Sequence, residues 1–313
     1  MDDLPEEKCR SLMRMFARRG DGTHSGVPSW LWRGLRIGAL AYLGLLALVA
    51  LLQGQMIYPG AARQGHPGCA LTPARDSALL SLRTADGERV MALFGPAMTT
   101  DGRPRGDASR RPTLIFFYGN AMCLADATGL FGQFRHLGLN VLVPDYVGYG
   151  MSGGSPSEDA LYATADAAYA HLLARNDIAP GRIISSGWSL GGAVAIDLAH
   201  RKPVAGLAVI STFTSAADMG RQLLPFFPYS VLLRSRFESQ KKIAAIRIPT
   251  LIIHGRRDSI IPYAMAEQLA GSAAGRPVTT YAVDRADHND IFDQGGRALM
   301  AAIGKLAAQA TGL

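Results

Sequence analysis

The stretch SSGWSLGGAVA, Ser185 to Ala195, decides how the rest of this chain is read. Within it, Gly187, Trp188, Ser189, Leu190 and Gly191 follow the pattern G-x-S-x-G, in which a serine stands on a sharp turn between a strand and a helix. The same pattern recurs at Gly150, Met151, Ser152, Gly153 and Gly154. The flanking sequence must choose between them. Arg182 to Ser186 (RIISS) reads as a strand that ends directly at Gly187, and Gly191 to Arg201 (GGAVAIDLAHR) reads as a helix. Ser152 instead follows a loop, Tyr146 to Gly150, and its helix begins only after Ser155. There Ser155 reads as the N-cap, Pro156 as the first helical residue and Glu158 as the partner of a capping box. Ser189 is the candidate nucleophile. Ser152 is a serine in a glycine-rich turn.

A serine hydroxyl is a weak nucleophile until a base takes its proton and an acid orients that base. After a strand–turn–helix nucleophile the chain order is serine, acid, histidine. His254 ends the strand-like run TLIIH, ahead of any acid-bearing loop, and reads as structural. His288, in the loop ADHND, is the candidate base. Asp258, in HGRRDSIIP, is the candidate acid, with Asp284, Asp287 and Asp290 as competitors close to His288 in the chain. An oxyanion formed at Ser189 needs two preorganised backbone N–H donors. Leu190 supplies one at the helix N-terminus, and Asn120, in the turn after the apolar run TLIFFY, is the expected second.

Working further outward, strand-like and helix-like segments alternate. ALLSLRT and ERVMALF flank Ala-Asp-Gly as a hairpin, and TLIFFY, NVLVP, RIISSG, VAGLAVI and TLIIH are apolar runs suited to strands buried on both faces. VTTYAV is expected to be the last strand. This alternation predicts an α/β domain with a doubly wound, mostly parallel sheet and helices on both faces. The predicted organisation is a polar tail over 1–28, a membrane helix over 29–58, a linker over 59–75 and the catalytic domain over 76–313. A small helical cap is expected at about 213–240.

With 48% hydrophobic and 18% charged residues among 313, the chain is outside the disordered class. Its net charge of +7 comes from scattered arginines with no basic, aromatic-interleaved face, which argues against nucleic acid. Cys9, Cys69 and Cys123 lack C-x-x-C spacing, so neither zinc nor redox chemistry is expected; an oxidising compartment would allow Cys69 and Cys123 to pair, but unpaired thiols are the favoured reading. No charge occurs from Ile37 to Ala62, enough for a helix of about 20 residues to cross a bilayer. Trp30, Trp32 and Tyr58 stand near its ends, and Arg33 and Arg36 precede it. The positive-inside rule then predicts a cytoplasmic N-terminus and a catalytic domain on the periplasmic or lumenal side. A cleaved signal peptide and a buried core helix are the competing readings.

Together, YGNA (118–121), DYVGYGMSGGSPSE (145–158), GWSLGGAVA (187–195), TFTSAADM (212–219), IHGRRDSIIP (253–262) and DHND (287–290) carry a wider resemblance. The chain resembles the α/β-hydrolase superfamily, within it the membrane-anchored serine hydrolases related to fungal bud-emergence proteins and animal protein depalmitoylases. The resemblance implies the α/β-hydrolase fold and cleavage of a carboxylic ester or thioester, with no cofactor and no metal. There are departures. Tyr118 stands where the family usually has histidine, Val147 where arginine is common, and Asp287 where glycine is usual.

The segment RQLLPFFPYSVLLRSR, within Ser215 to Arg236, is expected over the active site. Its apolar residues either line an acyl pocket, touch the bilayer or pack on the core. Tyr118, Trp188, Phe226 and Phe227 are the candidate pocket residues. The expected partners are a small-molecule or lipid-like ester or thioester and the membrane itself. An amidase or peptidase with the same three groups, and a non-catalytic binding protein on the same scaffold, remain the rival readings.

Overall fold

The structure is a computed structural model that describes residues 28–313 except 274 and 276. The polar tail expected over 1–28 therefore lies outside the described residues up to residue 27. Helix α1, Ser29–Ile57, carries the uncharged run from Ile37 to its own end. Among the described residues, those up to Val49 belong to one compact unit and those from Ala50 onward to a second.

The second unit is built on an eight-stranded sheet: β1 (Ala78–Arg83), β2 (Arg89–Gly95), β3 (Thr113–Phe117), β4 (Asn140–Pro144), β5 (Ile183–Trp188), β6 (Gly206–Ile210), β7 (Thr250–Gly255) and β8 (Val278–Val283). Their spatial order is β1-β2-β4-β3-β5-β6-β7-β8. β1 and β2 form the expected hairpin, and β2 meets β4 antiparallel; every later pairing is parallel. The apolar runs explain the interior. Every residue of β3, β4 and β6 is buried, as strands covered by helices on both faces require. Each fully buried Leu, Ile, Val or Phe contributes about 1.5–3 kcal/mol, which fixes the depth of these strands in the sheet.

The connecting helices are α2 (Thr128–His136), α3 (Glu158–Leu173), α4 (Leu190–Arg201), α5 (Ala216–Leu223), α6 (Tyr229–Leu232), α7 (Ser239–Ile243), α8 (Tyr263–Ser272) and α9 (Ile291–Thr311). The N-cap of α3 differs from the expectation. Ser157, not Ser155, accepts the Ala160 N–H at 3.1 Å. Glu158 is the first helical residue, and its carboxylate accepts instead from the N–H groups of Arg236 (2.6 Å) and Phe237 (3.0 Å) and from the Tyr162 hydroxyl (2.7 Å). A capping box needs its acid to turn back on its own cap, and here tertiary donors compete for it.

The topology sets the site. In such sheets function collects at the carboxyl ends of the parallel strands. Those of β3, β5, β7 and β8 lead into the loops that carry Asn120, Ser189, Asp258 and His288.

Candidate active site

Ser189 stands between β5 and α4 with φ 56° and ψ −121°. Non-glycine residues rarely adopt a positive φ, so surrounding contacts must hold this one. They do. The Ser189 N–H donates to the Ile210 carbonyl at the end of β6 (2.9 Å), and the Thr212 hydroxyl donates to the Ser189 carbonyl (2.8 Å). The glycines on either side meet a steric demand. A Cβ on Gly187 would overlap the carbonyl of Gly191, and one on Gly191 would overlap that of Phe117.

The three candidate groups, separated by up to 99 residues in the chain, meet in space. His288 Nε2 lies 3.0 Å from Ser189 Oγ, and His288 Nδ1 lies 2.8 Å from Asp258 Oδ2. A carboxylate only accepts, so the Nδ1–H donates to Asp258 and Nε2 is left to accept from the serine hydroxyl. The Asp258 side chain is completely buried. Burial works against its charge, but hydrogen bonds from His254, His288 and the Ile261 N–H outweigh this and hold the carboxyl well below the usual range.

The competing acids are occupied elsewhere. Asp287 accepts from the Ser259 N–H and hydroxyl and from the His288 backbone N–H, not from the ring. Asp284 pairs with Arg256, and Asp290 accepts from the Asp287 N–H. His254 is buried, with Nε2 2.8 Å from the Ile261 carbonyl and 3.2 Å from Asp258 Oδ2. Ser152 is buried too. Its hydroxyl donates to the Asp145 carbonyl and accepts from the Met91 N–H, stitching β2 to the loop after β4.

Asn120, in the loop after β3, and Leu190, the first residue of α4, stand on either side of Ser189, and among the described residues no hydrogen bond takes up the N–H of either. The Asn120 side chain is fixed: its amide donates to the Ile57 carbonyl (2.6 Å) and its oxygen accepts from the Tyr149 hydroxyl (2.9 Å). Trp188 stacks on the His288 ring at 5.8 Å and meets the edge of Phe292 at 5.6 Å. Phe227 is buried against Tyr229, whereas Phe226 is 86% exposed.

Tyr118, expected in the pocket, is instead fully buried beneath the loop that carries Asn120. Its hydroxyl donates to Asp145 Oδ1 at 2.7 Å, because a phenol inside the protein needs a polar partner. Asp145 also accepts from the N–H groups of Leu124 (2.7 Å) and Met151 (2.8 Å), so one carboxylate joins the loops after β3 and β4. Sequence reasoning missed this residue. Its signal was an acid directly following a largely apolar strand, Asn140–Pro144.

Burial pushes the Asp145 carboxyl up to about 6, against hydrogen bonds that favour its charge. A carboxyl raised above its unfolded value stabilises the fold while protonated, fully so below about pH 4. That contribution, on the order of 3 kcal/mol, is lost as pH rises through about 6. Asp145→Asn is expected to remove this dependence. Thermal unfolding measured from pH 4 to 7 should show a decline in the parent protein that the variant lacks, and equal slopes would contradict the assignment.

Comparison with known proteins agrees with this architecture. The sequence profile of a family described as alpha/beta hydrolase fold matches residues 112–238. An uncharacterized protein of Mycobacterium tuberculosis (strain ATCC 25618 / H37Rv) is 35% identical over 276 residues, 85% of this chain and 91% of its own length. The alpha/beta hydrolase domain-containing protein WAV2 of Arabidopsis thaliana is 32% identical over 268 residues, 78% of this chain and 83% of its own length. Among solved structures, the Pyrococcus furiosus esterase Pf2001 aligns with a TM-score of 0.62 at 15% identity, over 77% of this chain and 95% of its own. That last likeness is one of fold.

Proposed function

We propose that this chain, which belongs to the α/β-hydrolase superfamily, is a membrane-anchored serine hydrolase that cleaves a carboxylic ester or thioester through an acyl-enzyme. The observation that carries the proposal is the continuous chain from Ser189 Oγ through His288 to Asp258, with links of 3.0 and 2.8 Å. Ser189 Oγ attacks the carbonyl carbon while its proton moves to His288 Nε2. Asp258 keeps Nδ1 protonated and stabilises the imidazolium. The N–H groups of Asn120 and Leu190 receive the oxyanion, and being preorganised they need no rearrangement as charge develops. The proton on Nε2 then passes to the departing alcohol or thiol, leaving the acyl group on Ser189. Water, deprotonated by His288, releases the acid and restores the serine.

Membrane anchoring by α1 is supported by its uncharged run and by the exposure of its apolar stretch. The described residues contain a disulfide between Cys69 and Cys123, with Cα atoms 5.9 Å apart. Such bonds persist in oxidising compartments, which supports a catalytic domain on the side opposite the cytoplasm.

A series of p-nitrophenyl esters from acetate to palmitate, run beside the matching p-nitroanilides, tests the reaction class. Hydrolysis of esters beyond butyrate, with anilides turned over at least about 100-fold more slowly, is the expected result; that factor corresponds to a barrier difference near 3 kcal/mol. Preference for anilides would replace the ester reading with the amidase one. Activity confined to acetate would remove the acyl-chain part of the proposal.

A further inference from the structure

We propose that the α5–α6 cap is a second membrane contact, seated in the bilayer surface beside the end of α1, so that a bilayer is the partner of this face. The inference rests on the anchor reading above and goes beyond it. Gln53, in the last two turns of α1, is buried. Its side-chain amide donates to the Leu232 carbonyl (3.1 Å), and its oxygen accepts from the Arg234 N–H (2.9 Å). Five residues on, the Tyr58 hydroxyl bonds Ser235 Oγ at 2.7 Å within the protein interior. The strip 232–235 is thus fastened at three points to the end of the helix.

Bilayer dimensions give this fastening its meaning. Counted from Ile37, where the uncharged run begins, about 20 residues cross the hydrocarbon and bring the chain to Met56. Gln53 then lies within one helical turn of the far boundary, and the backbone it holds lies at that depth. A buried glutamine that satisfies two backbone groups of the cap leaves the cap little freedom to stand away from the surface.

The outer face of the cap has the composition such a position requires. Leu223 is 77% exposed and Val231 78%, while Phe227, Tyr229 and Leu233 of the same segment turn inward. Outside α1, no described large hydrophobic residue other than these two and Phe226 exceeds 56% exposure. Arg221 precedes the patch, and Arg234 and Arg236 follow it, all exposed. Guanidinium groups around an apolar patch suit the phosphate layer that borders the acyl chains. A substrate with its acyl chain in the membrane would then approach the cap from the lipid side.

Nitroxide labels on the full chain test this. In a Cys9→Ser background, labels are attached at Leu223→Cys, Val231→Cys, Leu45→Cys within α1, and Asp86→Cys in the exposed β1–β2 turn. The protein is reconstituted in vesicles of phosphatidylcholine and phosphatidylglycerol, and thermal unfolding verifies that each variant retains the parent fold. Positions 45, 223 and 231 are expected to collide strongly with oxygen and weakly with a water-soluble nickel chelate, and position 86 to do the reverse. If 45 is lipid-exposed while 223 and 231 behave like 86, the cap proposal is overturned and the anchor stands. If 45 also behaves like 86, the anchor reading fails and takes the cap proposal with it.

Discussion

Ser189→Ala is expected to lower kcat by about 10⁶ and to abolish covalent labelling by a fluorophosphonate probe. The phosphorus of the probe is attacked as a carbonyl carbon would be, so labelling reports an activated hydroxyl independently of the natural substrate. In the proposed mechanism the serine acts with its partners as a unit, so the expected loss is large and what survives its removal is only the binding and oxyanion contribution. Ser152→Ala is the matched control. Ser152 is buried and its hydroxyl is engaged by Asp145 and Met91, so this variant should label as the parent does. Labelling that persists in Ser189→Ala would remove the nucleophile assignment altogether. Loss of labelling in that variant alone would leave the acyl group as the open matter.

Asp258→Asn is expected to cost about 10⁴ in kcat with little change in KM. The geometry gives the reason. Oδ1 accepts from the N–H groups of Ile260 (3.0 Å) and Ile261 (2.7 Å), so an asparagine must keep its carbonyl oxygen there. Its NH₂ then occupies the position of Oδ2, 2.8 Å from His288 Nδ1, and donor would face donor. The imidazole escapes by moving its proton from Nδ1 to Nε2, which is the nitrogen that must accept the serine proton. The ring stays in position while its chemistry is inverted. Fluorophosphonate labelling rates and pre-steady-state acylation would both register the change. A fall of less than tenfold would mean that another carboxylate orients His288. Asp287 would be the first to examine, although its oxygens serve Ser259 and the backbone.

The departure at Tyr118 has a physical account once the fold is known. The loop carrying Asn120 is not held from the solvent side by the side chain at 118. It is held from beneath, by Tyr118 and the Leu124 N–H on Asp145, and by the Tyr146 hydroxyl on the Tyr118 carbonyl at 2.7 Å. Burial disfavours ionisation of both the phenol and the carboxyl, so each is held above its ordinary value. The disulfide then ties Cys123, just past this loop, to the 3-10 turn Pro67–Cys69.

What was legible in the sequence was local or periodic. The β5–Ser189–α4 turn could be read because glycine at 187 and 191, an apolar strand before and a helix after are consequences of neighbours in the chain. The alternation of buried strands with helices announced the parallel sheet for the same reason: a strand covered on both faces must be apolar throughout. Asp258 was preferred over three nearer acids because it lies in the loop after an earlier strand, whereas acids so close to His288 in the chain are poorly placed to face its ring; Asp287 bonds the His288 backbone N–H instead. Other features had no local signal. The α3 cap moved from Ser155 to Ser157 because donors from Arg236 and Phe237, almost 80 residues away, claimed the Glu158 carboxylate. Tyr118 turned inward because a carboxylate from the end of another strand waited there. Gln53 reads in sequence as one polar residue near the end of an apolar helix; only the tertiary structure gives it two backbone groups of the cap to hold. A hydrogen bond between segments 180 residues apart leaves no periodic trace in the chain, and its partners are decided only when the sheet brings them together.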